Sequence, residues 1–326
     1  LSRAAIALLL LLGVTLAGPT GFASLKILPG AREAGMAGAG VASASGPAAI
    51  AWNPAAGAGG CGFSALASYT KWLLDTRQQA LFVTRGFSPV SLTAGVVSFS
   101  AGEFEYRTAP TEQPIGIFTP TELTAYLGLA RSFSSTVQLG LAGRYYYTRI
   151  MEWDGSGLGL DAGFRLRPLK GMSTGVSIVD FGKTITYQRE VFWLPTRVRA
   201  GVSHTLGMGQ TELTGAVDGS YFVYRRNGDA RAGLELTWNQ TLTLRAGCSF
   251  PAANPFSFGL GARAGWVRLD YAYAPLGFDL GSTHRFALTI GNLCVGRAES
   301  AAAPEATIRT SGDSRRSAPG DRRPNW

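Results

Sequence analysis

From about Phe63 to Ile290 the chain repeats one unit: a run of nine to twelve residues that alternates apolar with polar or small, then a turn, then another run. Leu158, Leu160, Ala162, Phe164 and Leu166 interleave with Gly157, Gly159, Asp161, Gly163 and Arg165. Side chains point alternately to opposite faces of a strand, so one face of this run is wholly apolar and the other carries charge. In a soluble sandwich a second sheet would cover the apolar face. Runs of about 10 residues instead match the length that crosses a bilayer as a tilted strand. Charged residues make up only 16 % of the 326, which suits a membrane barrel better than a soluble domain. Beyond the N-terminus no apolar run approaches the roughly 18 residues of a membrane helix. The fold class expected is all-β: a transmembrane antiparallel barrel of about 14 strands with an N-terminal Gly/Ala-rich plug in its lumen, in the outer membrane of a diderm bacterium.

Connection lengths test this expectation independently. The candidate strands run from Gly62–Thr70 to Thr283–Ile290. Short links such as Ser88–Pro89, Asn239–Gln240 and Gly265–Trp266 alternate with longer ones such as Ser100–Pro120, Thr148–Ser156 and Phe181–Pro195. Outer-membrane barrels have short periplasmic turns and long external loops, so both ends of the array fall on the periplasmic side. A charge on the lipid face near midplane would cost ~2–4 kcal/mol, so the face bearing Asp161, Arg165, Glu212, Asp218, Arg263 and Asp270 must be the lumen. Aromatics near strand ends, among them Trp72, Tyr145, Tyr147 and Trp238, suit the bilayer interface.

Four regions follow one another. Residues 1–23 read as an export signal: Arg3, an apolar core from Ala4 to Leu16, then small residues at Ala17 and Ala23, after either of which cleavage is expected. Residues 24–61 are the Gly/Ala-rich plug and 62–294 the barrel. Residues 295–326 are too poor in large apolar side chains to bury a core and are expected to be a disordered periplasmic tail. Cys61, Cys248 and Cys294 are scattered, odd in number and lack metal-ligand spacing, so they read as small hydrophobes. The net charge of +9 is spread singly along strands and loops, with no basic patch for nucleic acid.

The plug carries a motif. Leu25-Lys-Ile-Leu-Pro-Gly-Ala-Arg-Glu-Ala-Gly-Met-Ala-Gly-Ala-Gly-Val41 leads to Ala48-Ala-Ile-Ala-Trp-Asn-Pro-Ala55. Gly30, Arg32, Gly35, Met36, Gly38, Trp52, Asn53 and Pro54 are its marked positions. Leu194-Pro-Thr-Arg-Val-Arg-Ala-Gly201 and Leu269-Asp-Tyr-Ala-Tyr-Ala-Pro-Leu-Gly-Phe278 add to the pattern. From about Leu25 to Ile290 the chain resembles the PorV/PorQ family, within the wider group of FadL-like outer-membrane proteins. That resemblance implies a hatch filling a 14-stranded barrel. It departs from the family in Ala39, where a second glycine is usual, and in the absence of an aromatic residue closing the last strand.

Catalytic chemistry finds no support in the pattern. His204 and His284 are the only histidines and neither has a serine or carboxylate at a motif spacing. Gly35-Met-Ala-Gly-Ala-Gly40 lacks the strand before it and the Gly-Lys-Ser/Thr ending of a phosphate loop. No residues form a metal-ligand or cofactor signature. The long loop Ser100–Pro120 carries Phe104, Tyr106, Ile115 and Phe118 and is the candidate partner contact. The function expected is therefore non-enzymatic. The resemblance implies the escort or anchoring of exported cargo in type IX protein secretion, with secretion-machinery subunits or cargo as partners and outer-membrane lipid around the barrel. The alternative is FadL-like transport of small hydrophobic molecules.

Overall fold

The computed structural model describes residues 22–58, 62–73, 75–110, 112–182, 185–187, 190–252, 254–278 and 280–291. The expected signal, apart from its last two residues, and the expected tail lie outside the described residues, as do Cys61 and Cys294. Strands β1 Gly62–Lys71, β2 Arg77–Phe87 and β3 Val90–Ser100 come first. A short hairpin, β4 Phe104–Tyr106 with β5 Gly116–Phe118, follows them. Next are β6 Thr121–Ser132, β7 Val137–Ile150, β8 Trp153–Leu166 and β9 Met172–Phe181. A second short hairpin pairs β10 Ile185–Tyr187 with β11 Glu190–Phe192. The series ends with β12 Arg197–Met208, β13 Thr211–Phe222, β14 Asn227–Trp238, β15 Leu242–Phe250, β16 Phe256–Ala264, β17 Val267–Pro275 and β18 Ser282–Gly291.

Fourteen of these strands, all but the two short hairpins, close into one antiparallel barrel. Each pairs with its sequence neighbour in the wall, and β1 meets β18 with Ser64 opposite Gly291 and Lys71 opposite His284. Closure leaves no unpaired edge in the wall, as hydrocarbon requires of a spanning sheet. The period-2 pattern sorts the faces. Leu141 and Leu158 point outward and are 66 % and 69 % exposed, whereas Arg144 points inward and is 2 % exposed. A barrel with buried arginines and bare leucines is inside-out by the standards of water and correctly built for a bilayer.

Three expected long links differ. Thr148–Ser156 is mostly strand: β7 and β8 pair out to Ile150 and Trp153, leaving Met151 and Glu152 as the turn. Ser100–Pro120 and Phe181–Pro195 remain the long connections, but each folds back on itself as a ribbon because short apolar segments such as Phe104–Tyr106 and Gly116–Phe118 can pair locally. One irregularity breaks the wall. Leu160 pairs with Phe181 while Ala162 pairs with Ile178, a bulge that turns both Val179 and Asp180 inward.

Candidate functional site

The lumen holds residues 22–58, and the wall's inward side chains fasten them at successive heights. Near the end remote from the periplasmic turns, Arg197 donates to the carbonyl of Leu25 at 2.9 Å, Gln78 to that of Ile27 at 2.5 Å and Arg285 to that of Leu28 at 2.7 Å. Ser24 hydrogen-bonds Glu122. Phe22 is buried with Leu25 and Leu194, its ring 5.6 Å from that of Tyr146. A short helix, α1 Ala31–Gly35, starts at Gly30, whose φ of 99° suits glycine, and packs on β15 to β18.

Arg32 on α1 forks onto Glu235 of β14 at 2.7 and 2.9 Å and donates to the carbonyl of Ser43 at 2.9 Å. Glu235 also accepts from Arg245 at 2.6 Å, and Arg245 reaches Asp270 at 2.9 Å. Burial alone would lower the pKa of Arg32, but the carboxylates of Glu235 and Glu33 more than reverse this, so the guanidinium stays charged. A two-pronged arginine–carboxylate pair fixes direction as well as distance.

Four residues further from the periplasmic turn along the same strand pair, Asp218 of β13 accepts from the backbone N–H groups of Gly40 at 2.5 Å and Val41 at 2.7 Å. Gly38, with φ 88°, turns the chain just before them. A third fastening sits at the bulge. Asp180 accepts from Arg144 at 2.6 Å, from Arg197 at 2.8 Å and from the Tyr146 hydroxyl at 2.9 Å, while its own N–H donates to Asp161 at 2.7 Å. Arg144 also pairs with Asp161. Arg197 therefore joins the wall cluster to the plug through Leu25.

At the periplasmic end Asn53 caps the turn Pro54–Gly57 by accepting from the Ala55 N–H at 3.0 Å. Its amide nitrogen donates to Val41 and to Phe164 of the wall, both at 3.1 Å. Trp52 is 2 % exposed and lies under the Arg199 guanidinium at 5.7 Å. Wall glycines make room for the plug backbone. A Cβ at Gly247 would strike the Met36 carbonyl carbon and the Ala37 nitrogen, and one at Gly175 the Val41 oxygen.

The eight motif positions thus fall in one place, the plug–wall boundary: Gly30 and Gly38 at turns, Arg32 in the ion pair, Gly35 against Gly259, Met36 fully buried, and Trp52, Asn53 and Pro54 at the base. The loop residues fall elsewhere. Phe104 stacks on Phe118 at 5.8 Å in the external ribbon, while Tyr106 and Ile115 lie largely exposed. Alternation along the strands places Asp218 and Asp270 on the lumen face but assigns them no partners. It passes over Asp180 and Arg197 as fasteners. Alternation was the available signal for facing; pairing depends on cross-strand register and on the course of the plug, which alternation does not encode. Among the described residues no group of three or more His, Cys, Asp or Glu is placed to hold a metal ion.

No protein-family model matches the sequence, and no curated protein matches it. Solved structures do resemble it in fold. The Ralstonia pickettii toluene transporter TbuX superposes with a TM-score of 0.57 at 12 % identity, over 80 % of this chain and 97 % of its own. The Pseudomonas putida toluene transporter TodX gives 0.56 at 15 % identity over 84 % and 98 %. A Pseudomonas aeruginosa FadL homologue gives 0.50 at 11 % identity over 84 % and 98 %. At such identities the likeness is one of fold: the chain has the FadL-like outer-membrane barrel fold, and its apolar exterior places it in that membrane.

Proposed function

We propose that this chain is a plugged outer-membrane channel for small hydrophobic molecules, with residues 24–61 acting as its hatch. The observation that carries the reading is the manner of attachment. The plug is seated by directional polar contacts along its length, among them Arg32 on Glu235, Asp218 on Gly40 and Val41, and Arg197 on Leu25, and by a shared apolar cluster of Leu28, Ile50 and Trp52 with Phe82 and Tyr126. Buried ion pairs roughly break even against their desolvation while fixing one geometry. Such a seat defines a closed position without making it permanent, as a hatch requires. The similar solved proteins described as toluene transporters favour hydrophobic cargo over an enzymatic role.

Vesicles containing the protein should take up labelled toluene or a labelled fatty acid faster than empty ones, and Arg32→Ala should change that rate. Equal uptake by protein-containing and empty vesicles would reject transport.

A second reading, cargo escort in type IX secretion of the PorV/PorQ kind, rests on the plug motif from Gly30 to Pro54. The exposed side chains Phe104, Ile115 and Ile117 on the external ribbon would be its contact surface. Deleting the gene separates the two. An altered set of secreted proteins with normal hydrocarbon uptake would favour escort.

A further inference from the structure

Three tiers of side chains sit one above another on the outside of the barrel where β17, β18, β1 and β2 meet. At the top, Lys71 faces outward directly between His284 on one side and Arg77 on the other. One outward step lower, Tyr271, Phe286 and Tyr69 line up across three strands, with Tyr271 and Phe286 rings 5.0 Å apart. A further step down the row becomes Leu269, Leu288 and Ala67. Below the top tier the wall from β14 to β3 is concave, and its apolar groove of about 1190 Å³ descends to Leu242.

The top tier is unusual. Lys71 and Arg77 are directly opposed in register, an arrangement that repels in a sheet. Among the described residues neither forms an ion pair. His284 is held upright by the Tyr271 hydroxyl at 2.9 Å and Ser282 at 3.2 Å. Two opposed cations over aromatics, over a hollow apolar wall, complement an amphiphile with an anionic head and several chains. This end carries the long connections of the barrel, so the leaflet it meets is the outer one.

We propose that this face binds a phosphorylated, multiply acylated glycolipid of the outer leaflet. Its phosphate sits between Lys71 and Arg77, and its acyl chains lie in the groove over Leu269 and Leu288. The bound anion relieves the repulsion between the cations, and the concave wall accepts chains that a convex barrel would shed. The occupant lies outside the wall, so the site is independent of what passes through the lumen.

Native mass spectrometry of the folded protein in micelles doped with lipid A provides the test. Wild type is expected to retain one lipid A. Lys71→Gln combined with Arg77→Gln should weaken retention at least about tenfold, given roughly 1 kcal/mol per surface cation. Arg149→Gln, at an exposed outward position on β7 outside the groove, should leave it unchanged. Both substituted side chains face outward, and heat-modifiable migration verifies the barrel in each variant; the single Lys71→Gln serves should the pair fail to fold. Equal retention by wild type and the Lys71/Arg77 variants overturns the proposal. So does displacement of lipid A by millimolar inorganic phosphate, which would mark a site for free anions.

Discussion

At the scale of single residues, the chain spends its buried charges on seating the plug. Arg32→Ala removes two charged hydrogen bonds to Glu235 but leaves that carboxylate with Arg245. Buried Glu33 also loses its charged partner, so the cost should lie between the roughly 1.5–3 kcal/mol of a charged hydrogen bond and the about 3–5 kcal/mol of an orphaned buried charge. Amide exchange across Ala31–Val41 should accelerate by about tenfold to a hundredfold while the wall stays protected; unchanged exchange would count against the latch. Asp218→Ala strips the acceptor from the Gly40 and Val41 N–H groups and should loosen the same stretch. Cys248 lies exposed on the lipid face. With Cys61 and Cys294 replaced by serine, a membrane-soluble maleimide should label it in intact membranes and a charged thiosulfonate should not. Labelling by both would contradict its lipid position.

At the scale of elements, the strand is the unit that the sequence specifies well. Alternation in runs such as Leu123 to Leu129 locates the wall strands and their faces because every second residue must satisfy hydrocarbon. Strand ends were less legible. Past Thr148 the pattern weakens outside the bilayer, yet β7 continues to Ile150 because pairing with β8 needs no lipid. The bulge at Asp180 was also hidden, since a one-residue insertion resembles an ordinary strand end until the partner strand is known. The plug was legible as a motif but not as a path, because glycine and alanine constrain the backbone too little to predict its course. Two predictions belong here. Leu244→Arg on the outer face of β15 should destabilise the barrel by about 2–4 kcal/mol in lipid, read from urea-induced unfolding, whereas Leu244→Ala should cost far less. From the packing of Phe22 against Tyr146 we propose that Phe22 stays in the mature protein. Intact mass should therefore show cleavage after Ala17, with Gly18 first; a mature chain beginning at Ser24 would contradict that packing.

At the scale of the whole molecule, one sheet serves two solvents. Its outer face meets acyl chains and its inner face meets a segment of the same chain, so residues 22–58 occupy the lumen at the heights described above. Closure, facing and plug occupancy stand or fall together, and planar-bilayer conductance reads all three at once. Wild type should insert without large open steps, and a variant lacking residues 24–58 should insert as a stable barrel with sustained large ones. Equal conductance of the two proteins would contradict a plugged lumen.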